Sequence, residues 1–122
     1  MCSADAGAPH AGADLCALND LGSADAREFR VGVGAWPLRL VVVRAADSVH
    51  GYVNRCPHAG HPLNLRPDDF LTPDGALLMC RSHGALFEPL TGACVGGPCA
   101  GMSLERVPLE VVAGRVRVAP AP

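Results

Sequence analysis

Two short segments each combine a cysteine with a histidine, and they constrain the fold more than any other feature of the chain. Residues 55–63 read RCPHAGHPL, and residues 79–84 read MCRSHG. One residue separates Cys56 from His58, and two separate Cys80 from His83. Two thiolates and two imidazoles at one point are a ligand set for a soft to borderline metal centre. A chain that uses all four must therefore bring two distant loops together.

The rest of the chain is a succession of short apolar segments separated by turn residues, and none shows a helical period over three turns. Such segments predict β-strands, and their close spacing favours an all-β antiparallel sandwich or barrel. Both cysteine–histidine segments follow a predicted strand, so each is expected to be a loop at the end of a hairpin. The predicted strands are residues 15–18, 28–33, 38–45, 49–54, 76–79, 85–87, 106–112 and 115–118.

Composition limits the class of protein. The 122 residues suit one domain, and 49% apolar with 18% charged residues excludes disorder of the whole chain. A net charge of -2 without a basic run gives no support for a nucleic-acid surface. The longest apolar run, residues 40–43, is too short to cross a membrane, and residues 1–15 lack a signal-peptide pattern. A cytoplasmic location is expected, where cysteines more often bind metal than form disulfides.

The four candidate ligands leave two kinds of metal centre open. A tetrahedral zinc ion accepts two cysteines and two histidines, but paired zinc ligands usually have two to four residues between them. A Rieske [2Fe–2S] cluster uses two cysteines on one iron and two histidines on the other. The single residue between Cys56 and His58 favours the cluster, because these two ligands then reach different irons.

The sequence resembles the Rieske family in both loops and beyond them. Its signature, Cys-x-His-x-Gly in one loop and Cys-x-x-His in the other, matches residues 56–60 and 80–83. Gly84, Phe87 and the Thr91-Gly92 turn are similar to the strand that follows the second loop in that family. Residues 96–98, Gly-Gly-Pro, are similar to the proline loop that covers its cluster.

The resemblance implies a fold, a ligand set and a domain organisation. The expected fold is a Rieske-like antiparallel β sandwich or barrel with a cluster-binding subdomain of two hairpin loops. Residues 1–14 would be a mobile tail and residues 15–119 one domain, with the cluster-binding subdomain at about 55–98. One [2Fe–2S] cluster per chain would be bound by Cys56, His58, Cys80 and His83. The neighbouring residues expected around it are Gly60, His61, Ser82, Ala85, Phe87 and Pro98.

Four positions depart from the respiratory members of that family. His61 and Ser82 stand where those proteins have two cysteines joined by a disulfide, so no such bridge can form here. Ala85 and Phe87 stand where they have a serine and a tyrosine that donate hydrogen bonds to the cluster. Fewer such bonds lower the potential, so we expect a value low in the family range of about -150 to +300 mV. These departures resemble the ferredoxin type.

The implied function is one-electron transfer, by a carrier rather than an enzyme. A chain of this length is not expected to include the catalytic iron domain of an oxygenase large subunit. The expected partners are a reductase and a terminal oxygenase or reductase, with no nucleic acid and no membrane. One alternative is an accessory subunit similar to the nitrite reductase small subunit. Two further alternatives are a zinc-bound or metal-free interaction module and a redox sensor that uses Cys94 and Cys99.

The remaining cysteines and histidines receive structural interpretations. Cys16 is predicted to pack in a strand as a small hydrophobic residue. Cys94 and Cys99 flank the proline loop and are expected to be free thiols, and a disulfide between them is the alternative. His50 is expected to be structural or solvated, and Cys2 and His10 belong to the predicted tail.

Overall fold

The computed structural model describes residues 12–22, 24–31, 38–45, 48–57, 60, 62–66, 68–82, 84–99 and 101–119, and the structural statements below concern these residues. They form three small antiparallel sheets, with strand orders β1-β10-β9, β2-β3-β4-β8 and β5-β6-β7. A single 3-10 turn, Leu18–Asp20, is the helical element of this part of the chain. The strands are β1 (Asp14–Ala17), β2 (Ala24–Val31), β3 (Leu38–Ala45), β4 (Ser48–Val53), β5 (Leu78–Met79), β6 (Leu86–Phe87), β7 (Cys94–Gly96), β8 (Arg106–Val107), β9 (Leu109–Val112) and β10 (Arg115–Val118).

Strand β3 separates two hydrophobic cores. Its four central residues, 40–43, are fully or almost fully buried, and successive side chains of a strand point to opposite faces. Val41 and Val43 pack into the core that contains Cys56 and Cys80. Leu40 and Val42 pack into the other core, which includes residues of β1 and β10. The first core therefore surrounds the candidate metal centre, and the second packs against the sheet β1-β10-β9.

The two predicted hairpins are present. Strands β3 and β4 pair in register from Leu40 with Val53 to Ala45 with Ser48. Strands β9 and β10 pair across Ala113 and Gly114, whose φ angles are 52° and 76°. Two successive positive φ values characterise the tight turn that matches the twist of a hairpin. The all-β antiparallel class predicted from the sequence is confirmed.

Pro108 corrects one predicted strand. Residues 106–112 were expected to be continuous, but β8 pairs with β4 whereas β9 pairs with β10 in a different sheet. Proline has no backbone N–H to continue a ladder, and its carbonyl accepts a hydrogen bond from Ala119 at 2.9 Å. The chain thus changes sheets at Pro108.

Other boundaries differ more modestly from the sequence predictions. Strand β2 begins at Ala24 rather than residue 28, because all eight of its residues pair with β3. Strand β7 was missed, and it places Cys94 in a strand rather than a loop. Gly12 and Ala13, assigned to the tail, exchange backbone hydrogen bonds with Val118. Within the described ranges no helix has the length and apolar character needed to span a membrane.

Candidate metal centre

The two predicted ligand loops emerge from different sheets. Ligand loop 1 (residues 54–63) follows β4, and ligand loop 2 (residues 80–85) joins β5 to β6. Only loop 2 lies at a hairpin tip, because the chain after loop 1 continues to Leu71, which bridges Leu78 of β5. The expectation that both loops close hairpins is therefore wrong for loop 1. This path places the segment that follows loop 1 beside the strand that enters loop 2.

Cys56 and Cys80 lie at the start of these loops and are completely buried in the same core. Two thiols from distant segments thus share one apolar environment, as their predicted role requires. The predicted ligands His58 and His83, together with His61, lie outside the described residues. Among the residues that are described, no group of three or more Cys, His, Asp or Glu side chains is arranged to hold a metal ion.

In both loops, the glycine four residues after the cysteine makes the same backbone hydrogen bond. The N–H of Gly60 donates to the carbonyl of Cys56, and the N–H of Gly84 donates to the carbonyl of Cys80, both at 2.8 Å. The φ angles of the two glycines are 76° and 75°, a conformation that L side chains rarely adopt. The glycine of each motif is therefore required by the backbone.

Backbone and side-chain hydrogen bonds join loop 1 to loop 2. The N–H of Arg81 donates to the carbonyl of Leu63 at 2.8 Å, and the N–H of Leu63 donates to Oδ1 of Asn54 at 2.8 Å. Asn54 is buried, and its Nδ2 donates to Oε2 of Glu28 at 2.8 Å and to Oδ1 of Asn64 at 3.0 Å. One amide thus fixes loop 1 to β2, and loop 1 in turn holds the backbone of loop 2.

The side chain of Arg81 adds a second attachment for loop 2. Its Nη2 donates to Oδ1 of Asp69 at 2.7 Å and to the carbonyl of Leu71 at 2.6 Å. This ion pair is partly buried, so solvent screens it less than a pair at the open surface. Noncovalent contacts therefore join the loops, and the sequence motifs do not indicate Asn54, Asp69 or Arg81. A polar residue two positions before Cys56 is the available signal for Asn54.

The residues predicted to surround the cluster occupy different environments. Ala85 and Phe87 are fully buried, whereas Ser82, Gly60 and Pro98 are exposed. The proline loop (residues 96–98) lies directly on ligand loop 2, since a Cβ added to Gly97 would be 2.8 Å from Cα of Ala85. Only a residue without a side chain permits this approach. The proline loop is thus held close to the backbone after Cys80.

The donor chemistry of the described residues fits an iron–sulfur cluster. Cysteines, as thiolates, are the ligands that iron–sulfur clusters use. The first core presents two of them at the bases of two loops fixed to each other. Such a centre can accept and release single electrons, with the protein controlling solvent access and hydrogen bonds to the sulfurs.

The chain belongs to the Rieske [2Fe-2S] domain family, whose model matches residues 9–113. The resemblance inferred from the two loops is thereby confirmed, and proteins of this family carry a [2Fe–2S] cluster. A search of curated protein sequences finds no match.

Solved structures with the same fold include small ferredoxins. The ferredoxin of carbazole 1,9a-dioxygenase from Nocardioides aromaticivorans IC177 superposes with a TM-score of 0.70 and 24% identity, covering 91% of this chain and 99% of that one. A chain in the complex of reduced oxygenase and oxidized ferredoxin in carbazole 1,9a-dioxygenase gives 0.68 and 29%, covering 87% and 90%. A ferredoxin from Sphingomonas yanoikuyae B1 gives 0.67 and 24%, covering 90% and 99%.

Proposed function

We propose that this protein is a Rieske-type ferredoxin that transfers single electrons to a partner oxygenase. The observation that carries the proposal is the pair of buried cysteines on two loops, in each of which a glycine N–H donates to the cysteine carbonyl. The similarity to ferredoxins over nearly their whole length supports a carrier rather than an enzyme. We further propose that residues 15–119 act as one domain, with the cluster-binding part at about 55–98.

Cys56 and Cys80 would bind one iron, and His58 and His83 the other. A bound cluster supplies a one-electron couple whose potential is raised by neutral imidazole ligands relative to an all-cysteine cluster. The chain's own contribution is to bury both thiols and to fix loop 1 and loop 2 through Asn54 and Arg81. Holding the loops in one arrangement limits the structural change that accompanies reduction.

Ala85 and Phe87 support a low potential within the family. Both side chains are buried, and neither has a hydroxyl group that could donate a hydrogen bond to cluster sulfur. Without these donors the additional negative charge of the reduced state is less stabilised. The potential should therefore lie in the lower part of the range of about -150 to +300 mV.

The proposed partner is the oxygenase component of a multicomponent system. One structure with the same fold comes from a complex of oxygenase and ferredoxin, and we infer that this chain docks on a comparable partner. A reductase would supply the electron. We propose a cytoplasmic location, where both partners and a reduced thiol pool would be accessible.

The decisive experiment is anaerobic purification followed by iron and sulfide assay, visible absorption and EPR after reduction. Equal amounts of iron and sulfide and a Rieske-type EPR signal are expected. His83→Ala should abolish that signal, while His50→Ala, outside both loops, should preserve it. A colourless protein that contains zinc, or an unchanged signal in the His83 variant, would contradict the proposed ligand set.

A further inference from the structure

Two cysteines outside the proposed ligand set lie at the two ends of the proline loop. Cys94 belongs to β7, and Cys99 follows Pro98. The N–H of Cys94 donates to the carbonyl of Met102, and the N–H of Met102 donates to the carbonyl of Cys99, both at 2.9 Å. These hydrogen bonds bring the backbone on either side of the loop together. The six residues from Cys94 to Cys99 thus form a short loop that contains Gly97 and whose two ends lie close together.

The two thiols are neighbours and differ in solvent access. Cys94 packs against the core that contains Cys99, the two side chains lie close enough to interact, and Sγ of Cys94 donates to the carbonyl of Gly96 at 3.2 Å. Cys94 is partly exposed, whereas Cys99 is fully buried, and both are free thiols. An exposed thiol beside a buried one is an arrangement in which the first can react with an oxidant and the second can resolve the product.

We propose that Cys94 and Cys99 are an oxidative modification site, a thiol pair that peroxide converts to a disulfide across the base of the proline loop. The Cys94 thiolate attacks one peroxide oxygen, the O–O bond breaks, and a sulfenic acid and hydroxide form. The Cys99 sulfur then attacks the Cys94 sulfur, the S–O bond breaks, and water leaves with the Cys99 proton. The pair loses two electrons in total, and a dithiol reductant restores both thiols.

The disulfide would act on the ligand loops through the contact between Gly97 and Ala85. The proline loop already lies on ligand loop 2 at that point, and a covalent link across its base restricts its opening. Cys99 also lies in the same core as Cys56 and Cys80. Oxidation should therefore slow cluster loss, a consequence that rests on the proposed function, whereas the thiol pair itself does not.

Peptide mapping provides a direct test, because the chain has no lysine and trypsin separates the two kinds of cysteine. Cleavage after Arg81 and Arg106 releases residues 82–106, whose only cysteines are Cys94 and Cys99. The cluster-loaded protein is treated with hydrogen peroxide, quenched, alkylated and digested. The 82–106 peptide should lose two hydrogen atoms and take up no alkylating reagent, and prior treatment with dithiothreitol should restore two alkylations.

Three variants make the result specific. Cys94→Ser and Cys99→Ser should each prevent the loss of two hydrogen atoms, whereas Cys16→Ser, a buried cysteine of the other core, should behave as the wild type. Two alkylated thiols after peroxide treatment, or only sulfinic acid on Cys94, would overturn the thiol pair. If no disulfide forms but the Rieske EPR signal is intact, the thiol pair is overturned and the proposed function stands. If the disulfide forms in a protein that binds no cluster, the thiol pair stands and the proposed function is overturned.

The coupling to the cluster has its own readout. The visible absorbance is followed in the presence of an iron chelator, for protein with the Cys94–Cys99 disulfide and for protein with both thiols reduced. We expect a severalfold slower loss of absorbance after disulfide formation in the wild type and no peroxide-dependent change in Cys94→Ser. Equal rates before and after disulfide formation in the wild type would overturn the restriction of ligand loop 2.

Discussion

Asn54 shows how a single side chain organises the candidate centre. It is buried, accepts a hydrogen bond from Leu63 in ligand loop 1, and donates to Glu28 on β2. A buried amide is stable only when its donors and acceptors are paired, so its position follows from the fold around it. Glu28 is itself bound by Arg39 at 2.6 Å. The sequence predicts the cysteines because their spacing is characteristic, but it contains no comparable pattern for this network.

The surroundings of His50 should lower the pKa of its ring. Burial lowers its pKa, and the positive charge of Arg106 lowers it further; Nη2 of Arg106 lies 3.3 Å from Nδ1 of His50. Because the folded pKa is below the ordinary 6.5, the unfolded chain binds more protons at acidic pH. The contribution of neutral His50 to stability is therefore complete above pH 6.5 and decreases as the pH falls toward the folded pKa.

NMR titration of the His50 ring checks this prediction. The midpoint should lie below 6.5, and Arg106→Gln should raise it by removing the nearby positive charge. Arg115→Gln, a substitution on β10, is the control and should leave the midpoint unchanged. The His50→Gln variant identifies the resonance, and a midpoint above 6.5 in the wild type would contradict the assigned environment.

At the level of elements, the sequence predicts paired strands better than isolated ones. Strand β3 and its hairpin with β4 follow from a valine-rich run and a turn, and both agree with the structure. The change of sheet at Pro108 was missed because proline was read within a run of apolar residues instead of as a break. Strand β7 was missed because it is three residues long and depends on pairing with β6, a contact that local sequence does not encode.

The close packing of the proline loop on ligand loop 2 gives a prediction with a matched control. Gly97 and Gly101 have φ angles of 87° and 88°, so alanine at either position incurs similar backbone strain of about 1 kcal/mol. Only at Gly97 would the new Cβ meet backbone, at 2.8 Å from Cα of Ala85; at Gly101 nothing lies within 4 Å. Gly97→Ala should therefore displace the loop.

Cluster potential and chelator resistance distinguish the two variants. Gly97→Ala should shift the potential and speed the loss of visible absorbance, because the displaced loop admits solvent to the cluster. Gly101→Ala should retain the wild-type potential despite a comparable loss of thermal stability. The same potential in both variants would contradict the close contact between the proline loop and ligand loop 2.

For the whole molecule, the two cores predict that the local stability of the strands depends unequally on the metal centre. The core with Cys56 and Cys80 also contains residues of β5 and β6, whereas the other core contains Cys16 and Val116 of β1 and β10. Removal of iron would take a bound group only from the first core, because Cys16 of the other core is a free thiol with or without the cluster. Amide exchange should therefore accelerate in β5 and β6 by at least about tenfold, which corresponds to about 1.4 kcal/mol of local stability.

Hydrogen–deuterium exchange with and without cluster tests this expectation. Peptides covering β5 and β6 should lose protection after chelation, and peptides covering β1 and β10 should keep it. An equal loss of protection in both regions would show that the two cores unfold as one unit and would contradict the division by β3.

The two-sided burial of β3 also matters for attaching the molecule to a surface. Strand β9 lies at the edge of the sheet β1-β10-β9, and its Val111 and Val112 are 45% and 42% exposed. A cysteine or tag placed there is attached to the sheet that packs on the core of Cys16 and Val116. Strand β3 lies between that core and the core of Cys56 and Cys80. An electrode or a fused enzyme could thus be tethered at this edge while the ligand loops remain free for electron exchange.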